Sequence, residues 1–472
     1  MESLFSMAQI IAATSGSEQN ITAQYIKSVS IDSRSIEKGA LYVPIVGDRF
    51  DGHDFVENAL ENGAAAALVS SKNAERFSGL PIIIVPDSLA GMVDIAREAR
   101  KRSKAKIIAI TGSAGKTTTK SMVHKILAAF ATTHASIKSF NNHWGVPLML
   151  ANMPRETEFG IFEIGMNHSG EIADLVKLVA PDIALITSIG SAHLGNFDNM
   201  EDIARAKAEI FSALKESGTT IVNSDHSFME LLQEASAEQG VKNFIAYGFS
   251  EESDVKITNF KQHENTSSAM ISTGSKDFYM ELQVQGRHMI ANGVGALMVA
   301  KNLGISFEKS LEQLEGFGAA AGRGAVLFLG DNANPVQLID ESYNANPSSM
   351  AAALEVFSQQ KTAGKRVLVL GEMLELGKNS EQMHLGLAES IKASKADRVF
   401  LVGTNMQGLK KAMETKIDME TKIDIVWAQE ITQICPDIVN SLDWGDIIMV
   451  KGSNGIGLSL VVEEIQSHFA GA

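Results

Sequence analysis

Short apolar runs alternate along the chain with stretches in which apolar positions recur at helical spacing. The short runs carry Ile, Val, Leu and Ala at nearly every position, which marks strands buried on both faces of a parallel sheet. They predict strands at residues 40–46, 64–69 and 81–85, with a helix over 88–102. A second group lies at 107–111, 160–164, 183–186 and 219–222, with an amphipathic helix at 201–214. A third lies at 336–339, 366–370, 398–402 and 447–450, with a helix at 348–358. Strands separated by helices imply doubly wound α/β sheets, whose ligands sit beyond the strand C-termini. A chain of 472 residues exceeds what one core supports. Three domains are expected, at 1–104, 105–322 and 323–472, with the basic segment 97–106 as the first linker and the glycine turn at 321–324 opening the last.

Polar interruptions at the strand ends carry the chemistry. After the strand at 107–111 the chain reads Gly112, Ser113, Ala114, Gly115, Lys116, Thr117, Thr118 and then enters a helix. That order turns backbone N–H groups and a helix N-terminus toward one point, a site for a polyphosphate. Lys116 adds a charge for the β/γ-phosphates, and Thr117 a hydroxyl for Mg²⁺. The spacing is shorter than GxxxxGK, because Ile110 stands where the first glycine would be. Glu163 ends its own apolar run, where a carboxylate is expensive to bury without a cation. Either Mg²⁺ or a structural salt bridge can supply that cation. His193 follows the strand at 183–186 and reads as a hydrogen-bonded loop residue or as a ligand. Asn141 and Asn142 can cap a helix or orient a substrate. Asp340, after the strand at 336–339, suits ribose hydroxyls, and Lys451 opens a basic glycine turn containing Ser453. Lys207 has no distinguishing local pattern and reads as a solvated helix charge.

Composition narrows the class. A formal charge of −15 with no basic stripe excludes a nucleic-acid binder. The single cysteine, Cys435, excludes a disulfide framework and a Cys-based zinc site. No apolar run reaches membrane-spanning length and the start lacks a secretion signal, so a cytoplasmic, non-inserted protein is expected. A perfect tandem hexamer, METKID repeated at 413–424, is too short for a structural repeat and reads as a duplication tolerated in a surface loop or helix end.

Taken together, TGSAGKTTTK at 111–120, Glu163, TSIGSAH ending at His193 and AKAEI around Lys207 resemble the Mur ligases, the ATP-dependent amide-forming enzymes of peptidoglycan precursor synthesis. Further marks are Asn141, Asn142 and the GVP at 145–147, SYNANP at 342–347, GEMLELG at 371–377 and KGS at 451–453. The resemblance implies a uridine-nucleotide domain, a central ATPase domain and a C-terminal Rossmann-like domain, acting as a monomer. The branch it matches implies UDP-N-acetylmuramoyl-tripeptide and D-alanyl-D-alanine as substrates beside ATP and Mg²⁺. It assigns Asp32, Ser33, Arg34, Arg49, Asp51 and His53 to the UDP-sugar end, and Asn344, Asn346, Lys451 and Ser453 to the substrate side of the last domain. Thr117, Glu163, His193 and Lys207 match metal-site positions, Lys207 being the lysine that the family carbamoylates into an oxygen ligand. Asn292, Arg323 and Asp340 match contacts to the nucleotide across the domain boundary. Asn141 or Asn142 is placed to donate to an oxyanion. The chain departs from the family pattern at Val46, Met289, Glu341 and Leu458-Ser459, none of them in the phosphate loop or metal set. The alternatives are a sibling adding one amino acid, whose Asn-Pro-Arg signature is missing because Ser348 follows Asn346-Pro347, and a nucleotide-binding regulator without catalysis.

Overall fold

A computed structural model of the chain describes residues 3–47, 50–136, 139–330, 333–416 and 423–470. The buried runs build three α/β sheets in chain order, beside a two-stranded pair of Phe5–Ser6 with Tyr25–Ile26. The first sheet orders its strands Ser17–Gln19, Ile82–Val85, Ala66–Ser70, Leu41–Tyr42, Val29–Ser30, all parallel except the Ser17–Gln19 edge. The expected strand at 40–46 shortens to Leu41–Tyr42. Pro44 lacks a ladder donor, and its carbonyl is taken by the Ser88 hydroxyl at 2.5 Å.

The second sheet has nine strands. Lys106–Thr111 lies between Phe159–Glu163 and Ile183–Ile186, parallel to both. Glu163 pairs with Ile110, and Ile186 with Thr111, so all three strands end at one level. Three loops therefore leave the same sheet edge side by side: the glycine loop, the turn after Glu163 and the run to His193. Beyond Thr219–Asn223 and Asn243–Gly248 the sheet adds Val255–Gln262, then two antiparallel strands, Ser267–Ser272 and Asp277–Leu282. Asp277–Leu282 alternates exposed with covered positions, so no continuous apolar run announced it. The expected helix at 201–214 is α-helical over Met200–Ala208 and then tightens to a 3₁₀ turn, Glu209–Phe211.

The third sheet runs Ala325–Leu329, Val336–Glu341, Ile447–Lys451, Arg366–Gly371, Arg398–Val402, Asp424–Ala428. Its first strand is antiparallel to the second and only partly buried along its length, which hid it from the pattern of apolar runs. Separate apolar clusters cover the two faces of this sheet. Residues 417–422 of the tandem hexamer lie outside the described residues, while Met413 is buried at the end of the helix Met406–Lys416.

The segment 97–106 is a joint rather than a loose linker. The helix Ser88–Arg102 runs through it to Arg102, and the central strand begins at Lys106. Arg100 donates to the carbonyls of Val179 and Ala180, and Arg102 to that of Leu4. Asn152 grips the first sheet like a strand: its Oδ1 accepts from Val29 N–H and its Nδ2 donates to Val29 C=O, both at 2.9 Å. One apolar cluster runs continuously from Leu41 and Leu68 through Ile95 and Ala99 to Leu150 and Val176. Among the described residues no helix is long and apolar enough to cross a membrane.

Candidate functional site

The helix Lys116–Ala128 begins directly behind Gly115, and no side chain caps its N-terminus. Its free N–H groups and dipole thus face the glycine loop. Gly115 has φ 83°, a backbone closed to most side chains, and a Cβ there would lie 2.5 Å from Asn292 Oδ1. Only glycine lets the loop sit against Asn292. The Lys116 ammonium folds back to Gly112 C=O at 2.6 Å. Desolvation pushes it below the ordinary lysine range, against the pull of Glu163. Ser113 locks the loop to its neighbour, its hydroxyl donating to Gly190 C=O and accepting from Gly190 N–H, each at 2.8 Å.

From this loop a chain of hydrogen bonds crosses into the third domain. Thr117 Oγ1 donates to Glu163 Oε2 at 2.8 Å and lies 3.2 Å from Ser139 Oγ. Arg323 Nη2 donates to that same Ser139 Oγ at 3.0 Å, with its guanidinium 4.2 Å from the Tyr343 ring. Asn141 Nδ2 donates to Glu163 Oε1 at 2.8 Å. Glu163 is buried, and Lys120 Nζ stands 3.7 Å from Oε2. The protein cation anticipated at Glu163 is therefore Lys120, the last residue of the 111–120 motif. Asn142 behaves as a cap, its Oδ1 accepting from Gly145 N–H at 2.9 Å. Ser139 was missed in the sequence and Lys120, inside the 111–120 motif, carried no role there; the fold sets Ser139 beside Thr117 and Lys120 beside Glu163.

Lys207 is 1% exposed, and no carboxylate among the described residues pairs with it. Desolvation, then the charge of Lys116, holds its amine well below the ordinary range. It is a buried amine rather than a solvated charge. His193 Nδ1 lies 2.7 Å from Glu375 Oε2, a residue of the third domain. The adjacent His193 imidazole is the main cause that holds the Glu375 carboxyl below the usual range, and Lys116 contributes. The glycine-loop lysine thus feels Glu163, Glu375 and Arg323 at once.

Among the described residues no three His, Cys, Asp or Glu side chains group as a metal site. A hard cation carried by nucleotide phosphates needs fewer protein donors, one or two carboxylates and a hydroxyl. Thr117 and Glu163, hydrogen-bonded oxygen to oxygen at the phosphate loop, fit that demand. A buried Lys207 whose amine is held below the ordinary lysine range fits carbamoylation, since only a free amine adds to carbon dioxide.

A cavity of about 440 Å³ opens beside the loop, lined by Gly115, Asn292, Arg287 and Asp225 from the central domain and by Ser349 and Lys451 from the third. Asp340 is occupied at the domain boundary: it accepts from Gly322 N–H at 2.6 Å and from the Ser342 hydroxyl at 2.6 Å. A smaller cavity of about 170 Å³ joins His193 and Glu375 to Asn344, Asn346 and Ser453. Asn346 caps the helix Pro347–Ser358 and reaches Ser113 C=O at 3.5 Å. Lys451 Nζ, buried, bonds Glu341 Oε2 and Asn344 C=O, each at 3.0 Å. Thr118 lies half-buried in the helix's first turn.

The remaining predicted residues lie in the first domain. Arg34 makes a bidentate pair with Asp32, at 2.9 and 2.8 Å, Arg34 being exposed and Asp32 half-buried. Ser33 is buried with its carbonyl taken by Asn62 Nδ2. Asp51 caps the turn Gly52–Phe55 and holds His53 Nδ1 at 2.6 Å, while His53 Nε2 accepts from Ser70 N–H. Arg49 lies outside the described residues.

Family models match in three consecutive stretches: the Mur ligase family catalytic domain over residues 25–111, the Mur ligase middle domain over 110–300, and the Mur ligase glutamate ligase domain over 327–454. The chain belongs to the Mur ligase family. Among its Mur ligase relatives, the UDP-N-acetylmuramoyl-tripeptide–D-alanyl-D-alanine ligase of Rickettsia prowazekii is 33% identical, covering 93% of this chain and 95% of that one. The Escherichia coli enzyme of the same name is 33% identical over 94% of each chain. A crystal structure of MurF from Acinetobacter baumannii superposes with a TM-score of 0.85 at 29% identity, covering 98% of this chain and 99% of that one. MurF of Thermotoga maritima, solved in complex with ADP, gives 0.76 at 25% identity, over 94% and 97% of the two chains.

Proposed function

We infer that this Mur ligase joins D-alanyl-D-alanine to UDP-N-acetylmuramoyl-tripeptide, using ATP, in peptidoglycan precursor synthesis. The observation that carries the reading is the chain Glu163–Thr117–Ser139–Arg323, which ties the phosphate loop of one domain to the first arginine of the next. A site divided in this way is assembled by domain closure, and it excludes water from a phosphorylated intermediate. We divide the chain at 104/105 and 322/323, the second boundary lying within the glycine-rich hinge.

The tripeptide's terminal carboxylate attacks the γ-phosphorus and ADP leaves, giving an acyl phosphate. Lys116 swings from Gly112 C=O to the β/γ-phosphates, and Arg323 adds charge from the opposite side. Positioning and charge stabilisation supply most of the acceleration in such transfers. Thr117 and Glu163, with His193 and a carbamoylated Lys207, hold Mg²⁺, which supplies positive charge to the phosphate oxygens when bound. The dipeptide's amino group, deprotonated, then attacks the acyl carbon, and phosphate is expelled. Asn141 is the better placed of the two asparagines to donate to the oxyanion, because Asn142 spends its Oδ1 on a cap. Asn292 and Asp340 serve the nucleoside end. Asp32, Ser33, Arg34, Arg49, Asp51 and His53 serve the uridine nucleotide. Asn344, Asn346, Lys451 and Ser453 serve the incoming dipeptide.

The test is stoichiometry. With ATP, UDP-tripeptide and D-alanyl-D-alanine, one phosphate should appear per amide formed, and omission of either acceptor should stop its release. Rapid ATP hydrolysis with neither acceptor, or amide formation with free lysine in place of the dipeptide, would overturn the reading. Paired assays with lysine- and diaminopimelate-containing tripeptides identify the third residue.

A further inference from the structure

The peptide groups of the phosphate loop are committed unevenly. Ser113 N–H donates to Ser188 C=O at 3.0 Å, and Ala114 N–H to Ser188 Oγ at 2.9 Å. Ala114 C=O accepts two hydroxyls, Thr187 Oγ1 at 2.5 Å and Ser188 Oγ at 3.1 Å. By contrast, among the described residues no group accepts from the N–H of Gly115, Lys116, Thr117 or Thr118. Thr187 is buried and directly follows the strand Ile183–Ile186. Its hydroxyl reaches Ala114 because residue 112 is glycine: a Cβ there would collide with Thr187 Oγ1. The first glycine of the motif thus makes room for a threonine.

A hydroxyl that satisfies nearby backbone in a turn is the plainer explanation, but such bonds reach only about two to four residues along the chain. Here bonds spanning 73 and 74 residues converge on the two peptide groups of Ala114. A trans peptide is planar, with its N–H opposed to its C=O. Holding Ala114 C=O against Thr187 and Ser188 therefore turns Gly115 N–H away from them. That N–H is the first of four consecutive uncommitted donors, the arrangement an anion requires.

We propose that Thr187 is a positioning residue for ATP: its hydroxyl fixes the Ala114–Gly115 peptide so that Gly115 N–H is presented to the nucleotide's phosphates at the head of the row 115–118. This rests on ATP occupying the loop, and the experiment separates the two. ADP is titrated calorimetrically into the full-length enzyme, and KM is measured for ATP, UDP-tripeptide and dipeptide. Thr187→Val keeps the branched shape and removes the hydroxyl. It should weaken ADP about tenfold, the scale of a hydrogen bond lost to a buried acceptor, and raise the KM for ATP by the same factor. The KM values for UDP-tripeptide and dipeptide should stay within about twofold of wild type, a selectivity that general loosening of the fold does not produce. Thr187→Ser, which restores the hydroxyl, should recover the ADP affinity. Ser188→Ala removes the second hydroxyl on Ala114 C=O and should also weaken ADP, which keeps the test decisive if Thr187→Val does not fold. Unchanged ADP affinity in folded Thr187→Val or in Ser188→Ala, a loss that Thr187→Ser fails to recover, or an equal rise in all three KM values overturns the positioning role. A wild-type enzyme that does not bind ADP overturns the reading of the loop as the ATP site, and this proposal with it.

Discussion

At the scale of single residues, the site depends on groups whose environment contradicts their ordinary chemistry. Lys207 is the extreme case: a lysine amine, fully buried, held well below its ordinary range by desolvation and without an acidic partner among the described residues. Burying such a group costs several kcal/mol unless it is modified or serves a reaction. Lys207→Ala should therefore abolish amide formation, by roughly two orders of magnitude or more on the scale of a lost preorganised charge, while leaving the melting temperature unchanged or raised. Added formate or acetate, filling the space with a carboxylate, should restore part of the activity. A fully active alanine variant would remove the carbamate role. Glu163 behaves oppositely, because Thr117 and Asn141 both donate to it inside the protein. Glu163→Ala leaves these donors unsatisfied, at about 1–3 kcal/mol each, so denaturant unfolding should show lost stability together with lost activity. Glu163→Gln retains acceptor capacity and should separate the two, remaining folded and inactive.

At the scale of elements, the same geometry serves fold and site together. Asn346 caps the helix Pro347–Ser358 through a reciprocal box with Ser349 and also reaches the phosphate loop at Ser113 C=O. Asn346→Ala should cost about 1 kcal/mol of stability. Asn346→Asp caps as well as asparagine but sets a negative charge beside the phosphate loop. It should melt close to wild type while the KM for ATP rises, and unchanged KM values for both ATP and the dipeptide would reduce Asn346 to a cap. This double use explains what could be read in advance. The central parallel strands are continuous apolar runs, so Ile183–Ile186 and Arg398–Val402 emerge with the bounds the pattern gave. The antiparallel strands Asp277–Leu282 and Ala325–Leu329 face solvent in part and carry no such run. In the site, the glycine loop announces itself because phosphate binding needs consecutive backbone N–H groups. Lys120, Ser139 and Glu375 do not, because each acquires meaning only from a neighbour distant in sequence. Lys207 needed the family pattern, since local spacing cannot distinguish a buried lysine from a solvated one.

At the scale of the molecule, the two domain boundaries differ in kind. Between the first and second domains, Arg100 and Asn152 bind backbone across the joint, and an apolar cluster continues through it. Between the second and third, the chain passes Gly316, Gly318, Gly322 and Gly324, and a Cβ at Gly316 or Gly318 would meet nothing within 4 Å. That boundary is held by the contacts of the site itself, Arg323 with Ser139 and Glu375 with His193. A hinge of small residues closed by the groups that bind substrate is a natural place for motion. The first two domains should therefore move as one body while the third opens and closes. Trypsin offers a direct comparison, because both boundaries carry its cleavage residues: Arg102 and Lys104 at the first, Arg323 at the second. Of these, Arg323 should be cut first, since proteolysis follows local opening. An ATP analogue with UDP-tripeptide should slow that cut by holding the third domain down, and leave the first boundary unaffected. Asn152→Ala removes two hydrogen bonds across the first joint, and should expose Arg102 and Lys104 without accelerating cleavage at Arg323. Earlier cleavage at the first boundary in the wild-type chain would instead make the amino-terminal domain the moving part.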